Sequence, residues 1–142
     1  MEARPLIEWP QPIFEFIDFV GAFLAIGAVG FTVVVLRGAR RAEGGAPGDL
    51  AVYAAAERRA AGFGLIGAVI GVWHITQVLP RIAGRQHTTV SGVLQTHLPT
   101  QAMVGLAGLA VIGFAIGLRR PRVGLPLAAV GVVGGTLRAA LR

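Results

Sequence analysis

Three histidines, His74, His87 and His97, are the side chains of this sequence best equipped for chemistry. Imidazole ligates copper, iron and zinc, and a thioether selects soft Cu(I), so Met103, shortly after His97, belongs with them. One reading is a copper site built from two or three of His74, His87, His97 and Met103. A second is a b-type haem held between His74 and His97, whose axial imidazoles must come from facing elements at similar depth. The plainer reading has His74 packed and bonded to a backbone carbonyl, with His87 and His97 as solvated loop residues. The order 74, 87, 97 matches no ligand motif, and no bound cofactor is the leading expectation.

The carboxylates narrow the chemistry further. Every acidic residue lies at or before Glu57, so a proton or cation relay through the rest of the chain would have none to use. That argues against an ordinary proton-coupled transporter; a small transporter or channel ranks third among the functions considered. Glu15 and Asp18 sit one helical turn apart, on neighbouring positions of one face. They form either a cation-attracting mouth, a partner for Arg81 or Arg85, or water-reachable carboxylates near a helix N-terminus. Ser91 is the sole serine and has no third group nearby to orient a histidine base. There is no phosphate-cradling glycine loop and no pair of carboxylates flanking a cleft. With no cysteine, disulfides, iron–sulfur clusters and thiol nucleophiles are excluded together. The sequence does not predict an enzyme.

The elements that must position these residues follow from composition. Of 142 residues, 54% are hydrophobic and 14% charged, with a mean hydropathy of +0.69. One small core cannot hide so much apolar surface, which excludes a water-soluble globule. Intrinsic disorder needs the opposite balance. All 13 basic residues are arginine, and the net charge is +6. These arginines punctuate apolar runs rather than lining a polar readout face, so no nucleic acid is expected as partner. They mark membrane boundaries.

The chain reads as one all-α, polytopic membrane domain over 1–142. Four transmembrane helices, about 13–36, 60–79, 99–118 and 123–140, form an antiparallel bundle, each near the length needed to cross the hydrocarbon. The runs are continuously apolar instead of alternating, which rules out barrel strands. Residues 37–59 make a linker and a helix extension: Asp49 reads as an N-cap, and one helix runs from about Leu50 to Leu79, its first turns projecting into the cytoplasm. Pro80-Arg81 closes it. Arg37, Arg40, Arg41, Arg58, Arg59, Arg119, Arg120 and Arg122 fall on one side; Arg4, Arg81, Arg85, Arg138 and Arg142 fall on the other. The bias towards positive charge inside places the first set in the cytoplasm and both termini outside. Glu2 and Glu8 stand where a cleaved signal would be basic. Trp9 reads as an interfacial anchor.

Glycine supplies 21 residues, most of them inside the spans. In lipid, small residues let helix backbones approach closely, and Gly67 with Gly71, Gly113 with Gly117, and Gly131 with Gly135 are spaced for it. Gly64, Gly67, Gly71 and His74 share one arc of the second helix, which turns His74 towards protein. From Phe19-Val20-Gly21 through Val35-Leu36-Arg37, and at Ala60-Ala61-Gly62-Phe63-Gly64, the chain resembles the copper-resistance D family of bacterial membrane proteins. The likeness is in hydropathy and in glycine and arginine placement, over about residues 13 to 120. It implies a copper-handling membrane bundle. The leading expectation from the residues themselves is a non-catalytic subunit of a larger bacterial inner-membrane complex, respiratory or photosynthetic in type. Its partners would be the lipid bilayer and other membrane subunits.

Overall fold

The computed structural model describes residues 10–42 and 47–140, and Trp9 lies outside them. All regular structure among the described residues is helical, in five helices: α1 (Gln11–Ala42), α2 (Pro47–Arg85), α3 (Val90–Thr96), α4 (Leu98–Gly117) and α5 (Pro121–Ala140). Three stretches, Gln11–Ala42, Leu50–Arg85 and Leu98–Gly117, are long and apolar enough to cross a membrane.

α1 does not stop at Arg37. Its ladder widens to π geometry over Phe31–Leu36 and then returns to α through Arg37–Ala42. The Thr32 hydroxyl donates to the Val29 carbonyl at 2.9 Å, supplying a local donor where the repeat changes. Arginine ends an apolar run without ending a helix, because it is itself a good helix former.

α2 departs from expectation at both ends. It begins at Pro47, so Asp49 lies inside its first turn and is not the cap. Proline suits that start: its missing N–H is one the helix would leave unpaired anyway. At the other end the helix passes through Pro80 to Arg85. Proline carries helical φ and removes one ladder bond, and the flanking turns bridge it. The resulting 39 residues extend about 58 Å at 1.5 Å each. The true stop is a Schellman motif. His87 adopts φ 50°, Thr88 N–H donates to the Ala83 carbonyl at 3.1 Å, and His87 N–H donates to Gly84 at 3.3 Å. An L-residue in that left-handed position costs about 1 kcal/mol that glycine does not. His87→Gly is therefore expected to raise the thermal unfolding midpoint in detergent by a few degrees, measured against the parent chain.

α3 is the helix the expected four-helix count lacked. Thr89, in extended backbone, caps it by accepting from the Gly92 N–H at 3.1 Å. The break before α4 also has a local cause. Pro99 cannot donate to the Gln95 carbonyl, and the Gln101 side chain does so instead at 2.9 Å.

The bundle is two antiparallel hairpins, α1 on α2 and α4 on α5, joined across α2 and α4. Its core is small-residue packing: Ala25, Ala28, Ala60, Ala61, Ala68, Ala110 and Ala128 around Phe114 and Leu125. Glycines set the approach. A Cβ at Gly67 would lie 2.7 Å from the Ala25 nitrogen, and one at Gly113 2.7 Å from the Ala128 Cα. One at Gly131 would lie 2.6 Å from the Ala110 nitrogen, and one at Gly117 3.2 Å from the Ala61 Cβ. Gly64 seats the Phe114 ring. Gly71 and Gly135 have nothing within 4 Å, because both border a cleft where the hairpins part. Gly21, Gly124 and Gly134 join the seams, and stepping back seven residues from Gly131 to Gly124 is the pattern that exposes one of them.

Candidate functional site

The end of the bundle opposite the paired arginines gathers polar side chains from both α1 and α2. α1 starts there with Gln11, Glu15 and Asp18, and α2 ends there with His74, Gln77 and Arg81. Between them lies a groove of about 410 Å³ lined by Gln11, Phe14, Glu15, Trp73, His74, Gln77 and Arg81. The Phe14 and Trp73 rings meet across it at 5.6 Å with a 59° tilt, a geometry aromatic quadrupoles favour. Glu15 accepts a hydrogen bond from the Gln11 amide at 3.1 Å.

His74 faces α1. Its Nδ1 lies 3.5 Å from an Asp18 carboxylate oxygen, with both side chains about two-fifths exposed. Asp18 thus finds an imidazole partner on the facing helix, rather than Arg81 or Arg85. Asp18 also borders the central cleft, about 210 Å³, together with Gly71, Met103, Gly135 and Arg138. The Nε of Arg138 is buried there without an acceptor among the described residues.

The other two histidines go elsewhere. His97 stands between α3 and α4, its Nδ1 2.8 Å from the hydroxyl of Thr100, which is buried. His87 occupies the exposed left-handed position after α2. Among the described residues no group of three or more His, Asp and Glu side chains is gathered as a metal site would require. The structure brings together His74 with Asp18, and Asp18 with the cleft that Met103 borders. It does not bring the three histidines together around one point.

The remaining feature of size is apolar. A groove of about 620 Å³ runs between the middle of α1 and the first half of α2, lined by Phe23, Gly27, Phe31, Val52, Arg59 and Phe63 among others. Phe23, Phe31 and Phe63 are all exposed along it, and Gly27 has no atom within 4 Å of where a Cβ would stand. The phenylalanine stripe Phe16, Phe19 and Phe23 points outward in the same way.

Comparison with protein-family models, with curated proteins and with solved structures yields no match. Function rests on the geometry alone.

Proposed function

We propose that this chain is a non-catalytic, multipass subunit that packs into a larger complex of the bacterial inner membrane, of respiratory or photosynthetic type. One observation carries the reading: the glycines divide into two sets. Gly21, Gly64, Gly67, Gly113, Gly124 and Gly131 are consumed by contacts within the chain, whereas Gly27, Gly30, Gly105 and Gly108 open on empty space. Glycine inside a helix costs about 1 kcal/mol relative to alanine. In lipid the return on that cost is close backbone approach, and for the second set the approaching surface must come from outside the chain. The phenylalanine-walled groove at Gly27 is shaped to take such a surface.

In this reading α5 is the fourth span. It matches α4 at 20 residues and lies along it, so the arginine-rich end faces the cytoplasm and both termini lie outside. Because the chain has no cysteine, single introduced cysteines report sidedness without background.

The test is purification of the native chain in mild detergent with mass spectrometry of what accompanies it. A stoichiometric membrane partner is expected, lost on Gly27→Phe while the chain itself keeps its helicity. A chain that migrates alone overturns the subunit reading.

The Asp18–His74 pair supports a second reading. A carboxylate on one imidazole nitrogen is how proteins orient a histidine whose other nitrogen ligates a metal. On this reading the chain handles copper or binds haem through His74 and His97, with Met103. A Soret band or stoichiometric copper in the purified protein, abolished by His74→Ala, would establish it in place of the first.

A further inference from the structure

The arginine-rich end of the bundle borders a small polar cavity, and beside it a wider groove that Leu50, Ala54 and Val123 also line. Arg40, from the last turns of α1, reaches α2, where its Nη2 lies 2.9 Å from a Glu57 carboxylate oxygen. Its guanidinium carbon stands 5.4 Å from the centre of the Tyr53 ring. These two contacts fix the plane of the guanidinium and leave its Nε buried with no acceptor among the described residues. Beside it lies a cavity of about 150 Å³ bordered by Thr32, Arg37, Arg40, Glu57 and Arg122. An adjoining groove of about 350 Å³ is bordered by Arg40, Glu57, Arg120 and Arg122.

Four arginines, Arg37 and Arg40 from the end of α1 and Arg120 and Arg122 from the start of α5, therefore border two spaces whose walls share Arg40, Glu57, Pro121 and Arg122. Among the described side chains, Glu57 is the one carboxylate that lines either. Arginine stays charged at any pH a protein meets, so the excess cannot be relieved by deprotonation. The buried Arg40 Nε without an acceptor calls for an occupant rich in acceptor oxygens, and the exposed Arg37, Arg120 and Arg122 around it favour a compact anion. The guanidinium fork matches phosphate oxygens in pairs. The α5 N-terminus at Pro121 borders both spaces and adds the positive end of a helix dipole. Liquid water takes about 30 Å³ per molecule, so the cavity has room for a phosphate group.

We propose that this end of the bundle is a phosphate-binding site, with Arg37, Arg40, Arg120 and Arg122 as its donors and Glu57 as the group that holds Arg40 in place. The phosphate comes either from an anionic lipid headgroup or from inorganic phosphate in solution. The site lies where helices long enough to cross a membrane meet water, and basic pockets between spans at that depth take lipid phosphates. The proposal does not depend on a protein partner.

The full-length protein in detergent is mixed with equal amounts of phosphatidylglycerol and phosphatidylcholine, and retained lipid is read by native mass spectrometry. A parallel titration with inorganic phosphate is followed by calorimetry. Two double variants of equal charge change are compared. Arg37→Gln with Arg122→Gln removes arginines that line the cavity; Arg41→Gln with Arg119→Gln removes equally exposed arginines of the same end that line neither space. Selective retention of phosphatidylglycerol assigns the lipid source, and phosphate binding without lipid selectivity assigns the soluble one. In either case the first variant is expected to weaken binding by about tenfold or more, and the second to leave it near the parent value. Arg122→Gln alone should fall between them. The proposal is overturned if the parent protein takes up neither probe, or if both double variants lose binding equally, which is the signature of general surface charge.

Discussion

Gly113→Ala is expected to lower the thermal unfolding midpoint in detergent by about 10 °C, while Gly108→Ala, five residues earlier on the same helix, raises it slightly. Both changes exchange glycine for alanine inside a helix, which alone favours the variant by about 1 kcal/mol. The difference lies in what the new methyl meets. At Gly108 it meets nothing within 4 Å. At Gly113 it meets the α5 backbone, 2.7 Å from the Ala128 Cα and 2.9 Å from the Gly124 carbonyl oxygen. Backbone has no rotamer to yield, so α4 and α5 must part along the most extensive helix pair in the bundle. Overpacking of this kind costs about 1–3 kcal/mol where side chains can adjust, and more where they cannot. The clash therefore outweighs the gain in helix propensity. Equal responses at the two positions would mean that α4 and α5 do not meet through their glycines.

The second large effect is at Phe114, which is fully buried with its ring against Gly64. A Cβ at Gly64 would stand 2.6 Å from the Phe114 Cδ1, so the ring occupies the place of a side chain that α2 lacks. Phe114→Ala is expected to destabilise the bundle by about 2–3 kcal/mol, below the 3–5 typical of a soluble core. The reduction has a physical cause. Helices that part inside a detergent micelle still keep phenylalanine out of water, so what is lost is packing rather than transfer free energy. Gly64→Val alone is expected to be as damaging, by collision with the ring. Combined with Phe114→Ala it should fill the vacated space and recover at least about 1 kcal/mol, a coupling that a double-mutant cycle on detergent unfolding would read. Additive effects would place the two residues out of contact.

What the sequence discloses and what it hides follow from the range of the forces involved. Continuous apolar runs of about 20 residues are a local signal, and they place α4 and α5 within two residues of the observed starts. The face of α2 that carries Gly64, Gly67 and His74 is also legible, because helical spacing alone puts them on one arc, and all three meet neighbouring helices. Charge and proline mislead as boundary marks. Arg37 and Pro80 both sit inside helices, since one is compatible with helical backbone and the other costs a single bond. α3 announces itself only through the Thr89 cap, a short-range hydrogen bond that hydropathy does not register. The candidate sites are the least legible. That Asp18 meets His74, or that Arg40, Glu57 and Arg122 border one cavity, depends on how three helices are phased against each other.

That phasing passes through the widened turn at Phe31–Leu36, which gives α1 one residue more than a straight α-helix of the same rise would hold. Elsewhere in a span, dropping a single amino acid swings everything beyond it by about 100° and turns the buried face outward. Here the same loss would be absorbed: the bulge would relax to ordinary helix with Arg37 and Arg40 still aimed at their cavity. Length variants of this protein, natural or engineered, should therefore tolerate a one-codon gap between positions 31 and 36 and at no other point within α1.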